Sequence, residues 1–201
     1  MLAHSMGGAI ALRYLQLYPN KIKALTLSSP MIAISRGGTP NWLATSLIKT
    51  GATLNRWFSD TPWYFFGQND LNKSTFEENR LMHSLPRFER FQALYKAQPE
   101  LKLGGVTFNW LEQAVLNSDN LLSDIDKLSL PIQMLQAGSE HIVDNQAQLH
   151  FCQQLHKANS SACPEGQPEV IAGAYHELYF ELDQYRDIAI DKTIAWFKLH
   201  Q

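Results

Sequence analysis

The stretch Ala3-His4-Ser5-Met6-Gly7-Gly8 places a serine among small residues immediately before a helical pattern. A nucleophilic serine needs a sharp turn between a strand and a helix, because only such a turn holds its hydroxyl clear of the sheet. Gly7 is predicted to let this strained turn pack against its neighbours. Ala3 stands where glycine is usual, which is the smallest available departure. The stretch predicts a nucleophile at Ser5, although a turn rich in serine and glycine can also be purely structural.

The helix predicted after Ser5 would direct the positive end of its dipole towards that serine. Attack on a carbonyl carbon places negative charge on the carbonyl oxygen, and backbone N–H groups stabilise such an oxyanion. We expect the backbone N–H of Met6 to be one of these donors. The apolar residues expected to face a core from this helix are Ala9, Ile10, Leu12 and Leu15.

Segments typical of strands alternate with segments typical of helices on both sides of a long helical block. Strands are predicted at 24–29, 131–136 and 169–171, and helices after Ser5, at 145–158 and at 185–200. This alternation predicts an α/β fold with a parallel sheet covered by helices. Residues 31–127 lack a strand pattern and are too many for a loop. They are predicted to form a helical cap subdomain inserted into a core made of 1–30 and 128–201.

Within the block, helices are predicted at 42–58, at 74–98 with an interruption near Pro86, and at 108–122. The aromatic residues between Trp57 and Phe66 suggest a wall for an acyl chain or a contact with a membrane surface. They suit the core of a small helical subdomain equally well.

Three arginines in the same block, Arg80, Arg87 and Arg90, have spacings that could place them on one helical face. Such a face could bind a phosphate headgroup. Arginines at such spacings more often form a solvated face with ordinary acidic partners, and glutamates are close by in this sequence.

The composition restricts the classes of partner. The chain has 201 residues, of which 45% are hydrophobic and 18% charged, with a net charge of −2, as in ordinary globular domains. The absence of a basic tract argues against a nucleic-acid partner. No apolar stretch is long enough to predict a transmembrane helix. Cys152 and Cys163 lack the spacing of metal ligands. Two cysteines are too few to indicate a disulfide scaffold, and both are therefore interpreted as incidental.

A serine nucleophile at a strand-to-helix turn predicts an acid and then a histidine later in the chain. Residues 138–144, Gly-Ser-Glu-His-Ile-Val-Asp, follow the strand predicted at 131–136. An acid in this loop can hold the imidazole in one tautomer and stabilise the imidazolium. Glu140 is preferred because it lies closer to the end of the strand. Asp144 is the alternative acid, with a competing role as the N-cap of the next helix.

His176 follows the short strand predicted at 169–171 and is the predicted general base, which would take the proton of Ser5 and return it to the leaving group. A single histidine is more often a surface or packed side chain, but the loop position and the chain order favour His176. His4 is expected to shape the turn rather than to act as the base. The histidines without such a placement are His83, His141, His150, His156 and His200.

Five segments resemble the bacterial lysophospholipases of the L-two type, relatives of the monoacylglycerol lipases in the α/β-hydrolase superfamily. The segments are AHSMGGAIALRY (3–14), RLMHSLPRFERF (80–91), PELKLGGVTFNWLEQA (99–114), LQAGSEHIVDNQAQ (135–148) and GAYHELYFE (173–181). The third and fifth segments are much more specific to this family than the turn around the serine. The alanine at position 3 also fits this family.

The resemblance implies a serine carboxylester hydrolase with the triad Ser5, Glu140 and His176 and without a cofactor or metal. The implied substrate is a lysophospholipid or monoacylglycerol, which is cleaved to a free fatty acid and, for a lysophospholipid, a glycerophosphodiester. The implied location is the cytoplasm, with peripheral contact at the inner face of the bacterial inner membrane.

The chain departs from the family at its beginning, because four residues precede Ser5 where relatives carry several strands. The expected fold is the C-terminal half of an α/β-hydrolase: strands 6–8, the nucleophile turn and the inserted cap. The loop that gives a second oxyanion donor would be absent, and losing one donor lowers the rate by ~10²–10³-fold. We therefore expect a truncated and impaired product. The alternatives are another hydrolase of this fold, such as a small-ester esterase or a peptidase, and a non-catalytic fragment.

Overall fold

A computed structural model describes residues 1–18, 22–35, 40–69 and 75–201. Parts of the predicted cap, at 36–39 and 70–74, lie outside the described residues. In the described ranges, four strands and six α-helices follow one another. They are β1 (Leu2–His4), α1 (Ser5–Leu17), β2 (Leu25–Ser28), α2 (Asn41–Phe58), α3 (Leu85–Ala97), α4 (Phe108–Ser123), β3 (Ile132–Ala137), α5 (Asn145–Ala158), β4 (Glu169–Ile171) and α6 (Asp183–Leu199).

The four strands form one parallel sheet in the order β1-β2-β3-β4. Its register pairs His4 with Ser28, Ser28 with Leu135, and Ala137 with Ile171. The carboxyl ends of the strands therefore lie along one edge, and the loops after β1, β3 and β4 leave the sheet from that edge. Ligands of open parallel sheets bind at this edge.

The two central strands are buried along their whole length, as is typical of parallel strands covered by helices. Their polar side chains bond to one another and to neighbouring strands and helices. Thr26 Oγ1 donates to Gln133 Oε1 (3.1 Å), and Gln136 Nε2 donates to Gln148 Oε1 (2.9 Å). Buried polar groups need such partners, so these bonds allow polar residues inside the sheet.

Helix α1 buries only one of its two apolar stripes. Ala9, Leu12 and Leu15 are buried, whereas Ile10 is 59% exposed. The predicted burial of Ile10 was wrong because Ile10 lies on a second stripe, together with the exposed Tyr14 and Leu17, at spacings that share a helix face.

The described chain divides into two compact units. The first comprises Met1–Ser35, Arg80–Ser84 and Asn117–Gln201 and contains the whole sheet. The second comprises Arg36–Asn79 and Leu85–Leu116, and so holds α2, α3 and most of α4.

The second unit is narrower than the cap predicted over 31–127, because residues 31–35, 80–84 and 117–127 belong to the first unit. The function of this segment as a cap stays a prediction. Within the unit, the ring of Phe108 lies 5.2 Å from that of Phe65, so part of the aromatic run packs internally. Trp57 and Phe58 are 75% and 72% exposed.

The helix predicted over 74–98 is shorter than expected. Ser74 lies outside the described residues, and 75–84 form turns and bends rather than a helix. Pro86 does not interrupt a helix, because it is the second residue of α3. Proline is tolerated in the first turn, where its missing N–H has no intrahelical partner to lose.

The interpretation of the two cysteines was wrong, because Cys152 and Cys163 form a disulfide with a Cα–Cα distance of 5.3 Å. Cys152 lies on α5, and the chain turns back directly after that helix. Asn159 Nδ2 donates to the carbonyls of Leu128 (3.0 Å) and Leu130 (2.9 Å), and the Cys163 N–H donates to Ile132 (2.7 Å). Long-range bonds to the segment before β3 and to its first residue thus bring the sulfurs together, and spacing alone does not reveal them.

The tightly packed glycine of the first helix is Gly8 and not Gly7. A Cβ on Gly8 would lie 2.8 Å from Cβ of Pro30, a rigid ring. A Cβ on Gly7 would meet nothing within 4 Å beyond its own helix among the described residues. The packing role predicted for Gly7 therefore belongs to Gly8, because Gly8 is the residue of α1 that faces Pro30.

This difference predicts opposite effects for two adjacent substitutions. Gly8→Ala should lower the free energy of unfolding by ~1–3 kcal/mol, since Pro30 cannot move aside cheaply. Gly7→Ala, its matched control, should leave stability unchanged or raise it by ~0.5–1 kcal/mol through helix propensity. Urea unfolding followed by circular dichroism measures both. Equal midpoints for the two variants would contradict the packing described for Gly8.

Candidate active site

Ser5 is the residue at which β1 changes into α1. Its φ is 49°, in the left-handed region, whereas that of His4 is −120°. A non-glycine residue in this region is strained by ~1–3 kcal/mol and persists only where its surroundings fix it. The Ser5 carbonyl accepts a hydrogen bond from the N–H of Met31 (2.9 Å), so the loop after β2 holds the turn. Such strain at a polar residue is typical of functional sites.

His176 connects Ser5 to Glu140. Its Nε2 lies 2.8 Å from Oγ of Ser5, and its Nδ1 lies 2.7 Å from Oε2 of Glu140. The side chains of His176 and Glu140 are only 3% and 1% exposed. The structure thus brings together three predicted residues, Ser5 at the junction of β1 and α1 and the other two from the loops that follow β3 and β4.

The second oxygen of Glu140 is held by its own loop, since Oε1 accepts hydrogen bonds from the N–H groups of His141 (2.9 Å) and Ile142 (2.7 Å). Burial raises the pKa of Glu140, but the hydrogen bond and charge of His176 and the backbone N–H groups outweigh it, so the pKa lies below its ordinary value. An ionised carboxylate can only accept hydrogen bonds. We therefore assign the proton of the imidazole to Nδ1, which leaves Nε2 to accept from the Ser5 hydroxyl.

Asp144, the alternative acid, is the N-cap of α5. Its Oδ1 accepts hydrogen bonds from the N–H groups of Gln146 (2.8 Å) and Ala147 (3.1 Å). This is the capping role considered for Asp144 from the sequence, and it satisfies donors that would otherwise lack a partner at the helix start. The carboxylate that contacts His176 is that of Glu140.

The loops that carry Glu140 and His176 touch at Gly138, a residue that sequence reasoning did not single out. The N–H of Gly138 donates to the Ile171 carbonyl, and the N–H of Ser139 donates to the Ala174 carbonyl, each at 2.9 Å. A Cβ on Gly138 would lie 2.8 Å from the Ile171 carbonyl oxygen. Only glycine fits this close approach of two backbones.

Glu181 is a second residue missed at the sequence level. Its side chain is fully buried, and Oε1 accepts from the N–H of Tyr175 (2.8 Å) and bonds to Nδ1 of His83 (2.7 Å). The ring of His83 stacks on Tyr175 at 3.7 Å. The residue before His176 is thereby fixed from two sides. The only sequence signal for Glu181 is its place in the resembling segment GAYHELYFE.

Met6 lies in the first turn of α1, where backbone N–H groups have no intrahelical acceptor and the helix dipole is positive. Its role as an oxyanion donor stays a prediction. The three arginines do not share one helical face, a possibility considered from their spacing. Arg80 precedes α3, which begins at Leu85 and contains Arg87 and Arg90.

Among the described residues, no group of three or more histidine, cysteine, aspartate or glutamate side chains is arranged to hold a metal ion. None of the helices in the described ranges combines the length and the apolar character needed to cross a bilayer.

Residues 1–183 match the Hydrolase_4 family, described as serine aminopeptidase S33, and the chain belongs to this family. It is 34% identical over 200 residues to lysophospholipase L2 of Escherichia coli K12, covering 100% of this chain and 57% of that protein. It is 33% identical over 186 residues to a probable lysophospholipase L2 of Haemophilus influenzae, covering 92% and 55%. The predicted resemblance is confirmed, and the chain spans little more than half the length of these relatives.

Two solved structures show the same fold. A soluble variant of monoglyceride lipase from Saccharomyces cerevisiae superposes with a TM-score of 0.71 at 16% identity, covering 100% of this chain and 61% of that chain. The monoacylglycerol lipase of Paleococcus ferrophilus gives 0.70 at 20% identity, covering 100% and 68%. These matches confirm the predicted partial α/β-hydrolase fold.

The lowered pKa of Glu140 predicts a loss of stability in acid. Since the folded pKa lies below the unfolded one, the stabilisation is complete above the unfolded pKa and is lost as the pH falls through the folded pKa. The difference in free energy of unfolding between wild type and Glu140→Gln should therefore shrink as the pH falls from above the ordinary pKa of a glutamate, about 4.3, to below the lowered pKa of folded Glu140. Urea titrations at each pH measure it, with the exposed Glu89→Gln as control. A difference that stays constant would contradict the ionised, stabilising carboxylate.

Proposed function

We propose that this protein hydrolyses the acyl ester of a lysophospholipid or monoacylglycerol, with Ser5 as nucleophile, His176 as general base and Glu140 as the acid that orients it. The observation that carries the proposal is the bridge of His176 between Ser5 Oγ (2.8 Å) and Glu140 Oε2 (2.7 Å). The names of the relatives, lysophospholipase L2 in two bacteria, support the lipid substrate.

In the proposed reaction, Oγ of Ser5 attacks the ester carbonyl while Nε2 of His176 takes its proton. Ionised Glu140 stabilises the imidazolium, and the N–H of Met6 stabilises the oxyanion. The C–O bond to the glycerol oxygen then breaks, and His176 returns the proton to that oxygen. This leaves an acyl-enzyme on Ser5. Water, deprotonated by His176, attacks the acyl carbonyl carbon. The bond between this carbon and Oγ of Ser5 then breaks, His176 returns the proton to Oγ, and the fatty acid is released.

Contact with a lipid surface is a further part of the proposal. Helix α2 of the second unit exposes Trp42, Trp57 and Phe58 by 72%, 75% and 72%, and exposed aromatic residues of this kind suit a membrane interface. The cytoplasmic location implied by the resemblance stays a prediction. The disulfide between Cys152 and Cys163 argues against that location, because disulfides are uncommon in the reducing cytoplasm.

A second candidate function is peptide hydrolysis, which the family description serine aminopeptidase favours. The same triad can cleave an amide, because His176 can protonate a leaving amine as it does an alkoxide. The choice of substrate decides between the two functions, and an aminoacyl p-nitroanilide is the peptidase probe.

Ser5→Ala should abolish release of fatty acid from lysophosphatidylcholine or monoacylglycerol, a loss of at least ~10³-fold, while the exposed control Ser123→Ala keeps the wild-type rate. A fluorophosphonate should also label wild type at Ser5 alone, which mass spectrometry of the peptides detects. Release of fatty acid that survives Ser5→Ala would contradict the proposal, as would cleavage of the p-nitroanilide alone. Comparing the rate with that of E. coli lysophospholipase L2 tests the expected impairment.

Glu140→Gln should lower kcat by ~10³–10⁴-fold, because a neutral amide neither selects the tautomer nor stabilises the imidazolium. Asp144→Asn should change kcat less than about twofold, since asparagine also caps helices. Steady-state kinetics with a soluble ester measure both variants. Loss of activity in the Asp144 variant with retention in the Glu140 variant would instead make Asp144 the catalytic acid.

A further inference from the structure

A second pair of a histidine and a carboxylate, His4 and Glu177, lies beside the pair of His176 and Glu140. Nε2 of His4 is 3.2 Å from Oε2 of Glu177, and the ring centroids of His4 and His176 are 4.9 Å apart. His4 immediately precedes Ser5, and Glu177 immediately follows His176. The pair therefore joins the same two loops as the hydrogen bond between Ser5 and His176, without using either reacting atom.

Both members of this pair are anchored to the first unit. Nδ1 of His4 lies 3.2 Å from Oγ of Ser28, a buried residue of β2 that is also its register partner. The backbone N–H of Glu177 donates to the carbonyl of Leu81 (2.8 Å). The ring of His4 is thus fixed to the sheet, and the backbone of Glu177 is fixed to the segment 80–84.

The electrostatic surroundings keep Glu177 charged. Burial raises its pKa, but the contacts with His4 and the nearby His176 outweigh both burial and the repulsion from Glu140, so the pKa is lower than usual. Nε2 of His4 is buried and lacks a well-directed hydrogen bond, although it lies at ion-pair distance from Glu177. The contact between these two side chains therefore rests on their proximity and is an ion pair when the imidazole of His4 is protonated.

The hydrogen bond between Ser5 and His176 cannot hold the loops together throughout turnover. Once Oγ of Ser5 carries an acyl group, it has no proton to donate to Nε2 of His176. The imidazole must nevertheless stay in place to deprotonate the water that attacks the acyl-enzyme. A contact that is independent of Oγ can maintain this placement, and the pair of His4 and Glu177 is such a contact.

We propose that His4 and Glu177 are positioning residues that keep the His176 loop against the Ser5 turn, above all while the acyl-enzyme exists. The inference rests on the proposed function for the roles of Ser5 and His176. It adds to that function a physical task for the two neighbouring residues: a lasting connection between the nucleophile turn and the loop of the base.

The kinetic test uses Glu177→Gln and His4→Gln, which preserve approximate size but remove the carboxylate or the imidazole of the contact. Each variant should lower kcat by ~10–100-fold, as small displacements of catalytic groups do, with KM within about twofold. Deacylation should slow more than acylation, so a burst of acyl-enzyme should appear with an activated ester. The double variant should lose little more than either single one, because both remove the same contact. Glu89→Gln, on the exposed side of α3, should behave as wild type.

A measurement that needs no turnover tests the same inference. The Nδ1 proton of His176, bonded to Glu140, should give a downfield proton resonance in wild type. It should broaden or disappear in Glu177→Gln at a temperature where circular dichroism shows the fold intact. An unchanged resonance together with a kcat within twofold of wild type would overturn the inference. So would a loss of activity that vanishes when rates are expressed per fluorophosphonate-reactive Ser5, because it would reflect unfolded protein only.

The outcomes separate the inference from the proposed function. Wild type that shows the resonance and reacts with fluorophosphonate, but releases no fatty acid, contradicts the lipid substrate alone. The resonance in the two variants then still decides the role of His4 and Glu177. Conversely, wild-type lipid hydrolysis that both variants retain contradicts the inference alone.

Discussion

The buried contact between His176 and Glu140 is the constraint on which the rest of this site depends. A carboxylate that is only 1% exposed is unfavourable in a protein interior unless it is paired and hydrogen-bonded. The imidazole satisfies one oxygen of Glu140, and the N–H groups of its own loop satisfy the other. The loops after β3 and β4 must therefore meet closely, and the absence of a side chain at Gly138 permits that approach.

The strain at Ser5 is understood in the same terms. A positive φ at a serine is unfavourable by itself, yet it directs Oγ to the carboxyl edge of the sheet where the other two loops converge. The turn is held by the hydrogen bond from Met31 to the Ser5 carbonyl and by the close packing of Gly8 on Pro30. The contact of His176 with Oγ of Ser5 holds the side chain. The fold thus stabilises one strained residue through contacts from two separate loops, those after β2 and β4.

The sequence predicts those parts of the site that depend on local pattern and chain order. The helix at 145–158 and the strand at 169–171 have the predicted bounds, because Asp144 is a strong N-cap and the apolar run before the His176 loop is short. Ser5, Glu140 and His176 are recognisable because each follows a strand.

What the sequence does not predict depends on contacts between distant segments. Gly8 and Gly7 differ only in which one faces Pro30. The disulfide depends on a reversal of the chain that the hydrogen bonds of Asn159 fix. The partner of buried Glu181 is His83, which belongs to a segment of the first unit distant in sequence. Spacing along the chain contains no signal for these approaches, because side chains from segments far apart in sequence create them.

The proposed reaction divides the contacts of the site into transient and lasting ones. The bond between Ser5 and His176 must be lost when the serine is acylated, whereas those of Glu140 with His176 and of Glu181 with Tyr175 involve no atom of the substrate. A general base that works in both halves of an acyl transfer needs its position fixed by the lasting set. The contact of His4 with Glu177 belongs to that set and, like the ring contact of His4 with His176, ties the base loop directly to the residue before the nucleophile.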